Sequence, residues 1–201
     1  MKKIILYTLI LLCSCSKDSN NSTNIINKED FPLKVGNWWK FIATDIVAPD
    51  DTLTLSVVSK QMHQDTSVYL CKLLNSSQRT IDSGYYYVNL DRIEYQGSNK
   101  FYSYFSNINI KFPFQKNSSW IGASNRDTVK VISYVDSVKQ YNKTFESVFI
   151  IKRAYSTVGN YSYVQELYVK KGIGVIKNSF TEYSFGDITQ KTFFLIDYKL
   201  N

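Results

Sequence analysis

Lys191-Thr192-Phe193-Phe194-Leu195-Ile196-Asp197-Tyr198-Lys199-Leu200 closes the chain on a two-residue alternation. Phe194, Ile196, Tyr198 and Leu200 share one face, and Phe193, Leu195, Asp197 and Lys199 share the other. Successive side chains of a strand point to opposite faces, so this stretch reads as a strand with one wall on a core and a mixed second wall. The same vocabulary of Tyr, Phe, Val, Ile and Thr fills the chain from Phe31 onward, in short apolar runs separated by Asn, Asp, Ser and Gly. Working back from the end, the expected strands are Gly174–Tyr183, Tyr161–Lys170, Ser147–Ser156, Val129–Val135, Lys100–Phe105, Arg92–Gln96, Gly84–Leu90, Ser67–Leu74, Leu53–Met62 and Trp38–Val47. Asp50-Asp51, Gln96-Gly97-Ser98, Gly159-Asn160 and Gly186-Asp187 supply turns between them. No stretch of the mature chain keeps a 3.6-residue apolar period for three turns; the best helical candidate is a single turn near Asn142–Glu146. The fold class is therefore all-β: an antiparallel curved sheet or half-open barrel of about 9–11 strands.

Composition agrees. The 201 residues are 44% hydrophobic and 20% charged, with 3 Trp, 16 Tyr and 12 Phe against 8 Gly and 3 Pro, which suits one folded β-rich domain and argues against disorder. One His and three Cys exclude a His-rich metal centre and a disulfide scaffold, so no metal and no cofactor are expected. The formal charge of +7 is spread along the chain without a basic run, which argues against nucleic acid as a partner.

The N-terminus reads as an export signal. Lys2 and Lys3 precede an apolar run, Ile4 to Leu12, that is shorter than the about 20 residues needed to span a bilayer. The run ends in Leu12-Cys13-Ser14-Cys15, which resembles the lipobox of bacterial lipoprotein signal peptides. The resemblance implies that residues 1–14 are removed and that Cys15 is lipidated, making the membrane a partner through that lipid. Loss of Lys2 and Lys3 leaves 22 basic against 17 acidic residues, a net +5. Cys71 then has no partner for a disulfide; it lies on the alternation face of Tyr69 and Leu73 and reads as a buried structural thiol. Residues 15–30 are polar and aperiodic beyond the lipidated Cys and read as a flexible tether, with residues 31–201 as a single β-rich domain. Lys17-Asp18 loosely resembles the short charged export signal of Bacteroidetes surface lipoproteins. The expected location is the cell envelope, lipid-anchored to the outer membrane, on its periplasmic or its surface side.

Phe31-Pro32-Leu33-Lys34-Val35-Gly36-Asn37-Trp38-Trp39 is echoed by Phe112-Pro113-Phe114-Gln115-Lys116-Asn117-Ser118-Ser119-Trp120. Each has Phe-Pro-apolar, a polar turn, then Trp at equal distance. Two related β-meanders within one domain, or coincidence over nine positions, would both give this pattern. FPLKVGNWWKF (Phe31–Phe41), YYYVNLDRIEYQ (Tyr85–Gln96), FPFQKNSSW (Phe112–Trp120), TFESVFII (Thr144–Ile151) and ELYVKKGIGVIK (Glu166–Lys177) also fall in the order seen in TapB-like extracytoplasmic lipoproteins of Bacteroidetes, which the chain resembles over nearly all of Phe31–Leu200. That resemblance carries no catalytic residue to transfer.

The residues themselves point away from catalysis. His63 stands alone, which leaves no two-His metal site, and reads as an exposed turn residue. Gly172-Ile173-Gly174-Val175 lacks the third glycine and the following helix of a nucleotide loop, and reads as a bulge or close backbone approach. Tyr85-Tyr86-Tyr87, Phe101–Phe105 and Tyr161-Ser162-Tyr163 place rings on both strand faces, as cross-strand ladders or as a stacking platform for sugars. Asp51-Thr52-Leu53, Asp127-Thr128-Val129 and Asp136-Ser137-Val138 resemble the Asp-Ser/Thr-apolar acceptor of Bacteroidetes O-glycosylation. The expected function is a lipid-anchored, non-enzymatic binding or structural domain, with a glycan, a lipid or a protein as candidate partner. The alternatives are a lipid or lipoprotein carrier with an apolar half-barrel groove, and a carbohydrate-active enzyme using a carboxylate pair.

Overall fold

The computed structural model describes residues 24–44, 52–97, 109–122, 127–156 and 161–201. They form one sheet of twelve antiparallel strands: β1 Trp38–Thr44, β2 Thr52–His63, β3 Thr66–Leu74, β4 Thr80–Val88, β5 Arg92–Gly97, β6 Asn109–Lys111, β7 Ser119–Ile121, β8 Asp127–Gln140, β9 Lys143–Ser156, β10 Tyr161–Lys170, β11 Gly174–Ser184 and β12 Asp187–Lys199. The all-β architecture is as read from the sequence. The strand count is higher, because β6 and β7 have three residues each and are too short to show a period. The expected strand Lys100–Phe105 lies outside the described residues. The expected helical turn at Asn142–Glu146 is instead a hairpin: Val138 pairs with Phe145 and Gln140 with Lys143. Burial of Phe145 against the core decides the matter there, since a strand delivers that ring inward.

The strand order is β6-β5-β4-β3-β2-β1-β12-β11-β10-β9-β8-β7. Every neighbouring pair except β1–β12 is consecutive in sequence, so the sheet is an up-and-down meander whose first and last strands are joined at the centre. Its two edges, β6 and β7, are also consecutive, and the gap between them holds the Phe112–Trp120 motif. Three contacts span that gap: the Trp120 indole N–H donates to the Asn109 carbonyl at 3.3 Å, and Ile26 exchanges two backbone hydrogen bonds with Phe114 at 3.0 and 3.1 Å. The result is a nearly closed barrel with the N-terminal segment laid into its seam.

The nine-residue echo marks a repeat in structure. Lys34 O accepts from Asn37 N and Gln115 O accepts from Ser118 N, both at 3.0 Å. Gly36 and Asn117, at matching positions, both adopt positive φ, 89° and 71°; Gly or Asn is what a left-handed turn residue calls for. Gly36 N donates to Val57 O as Asn117 N donates to Val131 O, and β2 and β8 then carry matching bulges at Val57/Ser59 and Val131/Ser133. Trp39 and Trp120 are both buried, each indole N–H donating to a backbone carbonyl, Ile173 O at 2.7 Å and Asn109 O at 3.3 Å. Strands β1–β6 and β7–β12 are thus two six-strand meanders with the same opening.

β12 uses both of its walls. Phe193 and Leu195 are buried, while Phe194 points outward. The register with β1 then skips Ile196, since Lys40 pairs with Asp197 and Phe41 with Leu195. One extra residue reverses the alternation, so Tyr198 and Leu200 turn in and pack on the core. The two walls read in the sequence as core-facing and mixed exchange roles at that bulge.

The described part of the expected tether, Asn24–Asp30, belongs to the domain. Ile26 is 1% exposed, and the Asp30 carboxylate accepts the Asn27 backbone N–H at 2.9 Å, closing a short 3-10 turn over Lys28–Asp30. Ile25-Ile26, one adjacent pair among polar residues, has no period to betray which of them is buried.

Candidate functional site

All connections of the meander fall at two ends. At the end where the N-terminal segment enters, here the tether end, lie 64–65, 89–91, 112–118, 141–142 and 171–173. The tether end is closed by rings. Phe31 meets Tyr86 and Phe112 edge-on at 6.4 and 6.3 Å between centroids, Phe112 meets Phe114 at 5.5 Å, and Phe114 meets Phe149 at 5.4 Å and 88°. The string runs from the first meander to the second across the interior. Gly172-Ile173-Gly174 completes the closure: Gly172 N donates to Asp30 O at 2.9 Å, and the Phe31 ring lies 3.5 Å from where a Gly174 Cβ would stand. Both glycines adopt positive φ, 76° and 92°, which is what this turn requires of them.

The residual apolar cavity among Phe31, Leu33, Trp39, Phe41, Leu55, Tyr86 and Val175 measures about 20 Å³. One water-sized probe sphere occupies about 10–15 Å³, so this space admits no acyl chain.

Toward the opposite end the interior of the second meander turns polar. Asp127 on β8 and Arg153 on β9, 1% and 6% exposed, form a buried ion pair in which Arg153 Nε donates to Asp127 Oδ2 at 3.1 Å, with a second bond from Nη2. Tyr163 O–H donates to Asp127 Oδ1 at 3.4 Å, and its ring stacks on Tyr155 at 5.2 Å and 19°. Beside them Gln165 Nε2 donates to Asn178 Oδ1 at 3.1 Å. Buried charge is tolerated where it is paired and hydrogen-bonded, and here each charge faces its opposite. The pair clamps β8 to β9; it presents no free carboxylate for acid–base chemistry. Asp127 also belongs to an expected glycosylation triplet, and its burial leaves only Thr128 of that triplet facing outward.

The tyrosine runs resolve as ladders on the inner face. Tyr86 packs on Tyr95 at 4.7 Å, and Tyr163 lies between Tyr155 and Phe180. On the outer face Tyr85 and Tyr87 stand 6.2 Å apart. Phe194 borders an outer groove of about 360 Å³, and the Lys177 ammonium covers the Tyr168 and Phe194 rings at 4.5 and 5.4 Å. Phe101–Phe105 lies outside the described residues, as does Cys15. His63 ends β2 at the surface, as expected. No group of three His, Cys, Asp or Glu side chains among the described residues could hold a metal ion, and no described helix is long and apolar enough to cross a membrane.

Cys71 is free and fully buried, on the inward face with Leu73. Burial pushes its thiol from 9.0 up to about 12. Below about pH 9 the thiol is neutral in both folded and unfolded chains; between 9 and 12 only the unfolded chain ionises. The resulting stabilisation is complete below pH 9 and is lost as pH rises through that window. Burial raises Tyr86 and Tyr95 in the same direction. Urea unfolding is therefore expected to show a falling midpoint between about pH 8 and about pH 11, with a shallower fall in Cys71→Ala. A midpoint that stays level would contradict this placement of the thiol.

No protein family and no curated protein sequence matches the chain. Among solved structures it is similar to a protein from Bacteroides fragilis described as exported and as having a YmcC-like fold, with a TM-score of 0.51 and 10% identity over 84% of this chain and 98% of that one. A protein from Parabacteroides distasonis described as a lipoprotein aligns over 84% of this chain and 97% of its own at a TM-score of 0.42 and 11% identity. The first likeness shows the fold: a YmcC-like β-barrel.

Proposed function

We propose that the chain is a lipid-anchored cell-envelope lipoprotein whose β-barrel is a non-enzymatic binding or structural domain, held to the outer membrane through lipid on Cys15. The observation that carries this reading is the path of the N-terminal segment. Ile26 is pinned into the barrel seam eleven residues after Cys15 of the lipobox-like Leu12-Cys13-Ser14-Cys15, a spacing that would seat the domain close behind such an anchor. The resemblance to TapB-like lipoproteins and the exported Bacteroides fragilis protein of similar fold agree with an envelope location. The filled interior favours recognition on the outside of the barrel over carriage within it. The paired state of its most buried carboxylate, Asp127, favours a non-catalytic domain. The partner would be a glycan, a lipid or a protein met at the surface.

Two acyl chains hold a protein stably on a bilayer, each buried methylene contributing about 0.8 kcal/mol. Replacement of Met1–Ser14 by a cleavable, non-lipoprotein secretion signal, together with Cys15→Ala, should move the exported protein from the membrane to the soluble fraction. Retention of that variant in washed membranes would refute anchoring through Cys15.

A further inference from the structure

The charges at the tether end are not balanced. Three of its acids are taken up locally, Asp30 by Lys171 at 3.1 Å, Asp91 by Lys111 at 3.4 Å and Asp197 by Lys143 at 3.5 Å. Lys34, Lys116, Lys139, Lys170 and Lys199 form no ion pair among the described residues. They stand on five separate pieces of that end: the turn before β1, the β6–β7 connection, and the ends of β8, β10 and β12. All are exposed except Lys170, which is half-buried. Glu29, Asp65, Asp136, Glu146 and the C-terminal carboxylate are the opposing charges left there, fewer than these five together with Lys28 and Lys60. At the opposite end the described residues include the half-buried Glu182 and the exposed Asp187 beside Arg79 and Lys191, with no excess of cations among them.

From this placement we infer that the tether end is a docking face for an anionic bilayer, its lysine rim meeting lipid headgroup phosphates. Position on the chain selects this occupant. Cys15 lies so few residues ahead of Asn24 that a fully extended connection reaches only about 30 Å, which holds the rim near whatever membrane the lipid enters. A lysine near an anionic surface contributes about 1 kcal/mol, and the field decays within a Debye length of about 10 Å, so only this end gains. Docking there stands the barrel upright and turns the β11–β12 hairpin, with Phe185 83% exposed at its tip, away from the anchoring membrane.

The orientation rests on the anchored reading; the binding does not. The chain from Ser16 onward contains every described strand and core residue, and can be tested without lipid. In sedimentation with vesicles, it should bind phosphatidylcholine containing phosphatidylglycerol and not bind pure phosphatidylcholine, with affinity falling as salt rises. Lys34→Glu, Lys116→Glu, Lys139→Glu and Lys199→Glu together should weaken binding on the order of tenfold or more. Lys72→Glu and Lys130→Glu, exposed on the barrel wall, should leave it within about twofold, and unchanged thermal unfolding would show that both variants fold. Failure to bind anionic vesicles at low salt would overturn the inference, as would equal losses in the rim and wall variants, or binding to a soluble polyanion alone. Loss of anchoring through Cys15 with vesicle binding intact would refute the anchored reading and leave the rim standing.

Discussion

Phe114→Ala should lower the unfolding free energy by about 3–5 kcal/mol. Phe114 is 1% exposed and touches Phe112, Trp120 and Phe149, so it joins the seam between β6 and β7 to the wall of the second meander. Its backbone also holds Ile26, and the N-terminal segment has that residue as its buried foothold in the seam. Truncation removes the ring's burial, leaves a cavity, and loosens three aromatic contacts each worth about 0.5–1.5 kcal/mol beyond their area. Native domains of this size are stable by about 5–15 kcal/mol, so the loss would bring the domain close to unfolding at room temperature. Urea denaturation measures it directly. Leu90→Ala, at a residue 84% exposed, is the matched control and should change stability by less than about 0.5 kcal/mol. A Phe114→Ala effect no larger than that control would mean that the seam is not packed as described.

The second large effect concerns the buried ion pair. Arg153→Met and Asp127→Asn should each cost about 3–5 kcal/mol, because each leaves an uncompensated or poorly bonded polar group in the interior. Removing both partners removes the uncompensated charge as well. The double variant Asp127→Asn/Arg153→Met should therefore cost clearly less than the two single losses combined, a coupling of at least about 1 kcal/mol in a double-mutant cycle. Strict additivity would show that the two side chains do not share one buried interaction.

Much of this architecture is legible in the residues. The residues alone bound β10 at Tyr161–Lys170 and most other strands to within a few positions, because a two-residue alternation of large β-formers records which face is buried. The Phe-Pro…Trp echo pointed to the two meanders, since a polar turn followed by a buried indole is a local instruction that needs no distant partner. Other features depend on what lies across the fold. The strands β6 and β7 are strands only because neighbours pair with them, and three residues hold no period. Ile26 is in the core because Phe114 offers it two hydrogen bonds from a segment far along the chain. The switch of walls in β12 follows from a one-residue bulge against β1, invisible in the alternation itself. Arg153 and Asp127 were two charges among many until β8 and β9 brought them face to face. The lysine rim was likewise hidden in an even spread of charge along the chain, and becomes a cluster only when alternate connections gather at one end.

A barrel seated close behind a lipidated Cys15 is the central proposal. Intact mass and N-terminal peptide mass spectrometry of the full-length protein, purified from membranes of an expressing Bacteroidetes host, test this most directly. The predicted product begins at Cys15 and carries diacylglycerol on its thiol. A chain that begins elsewhere, or a Cys15 found unmodified, would contradict it.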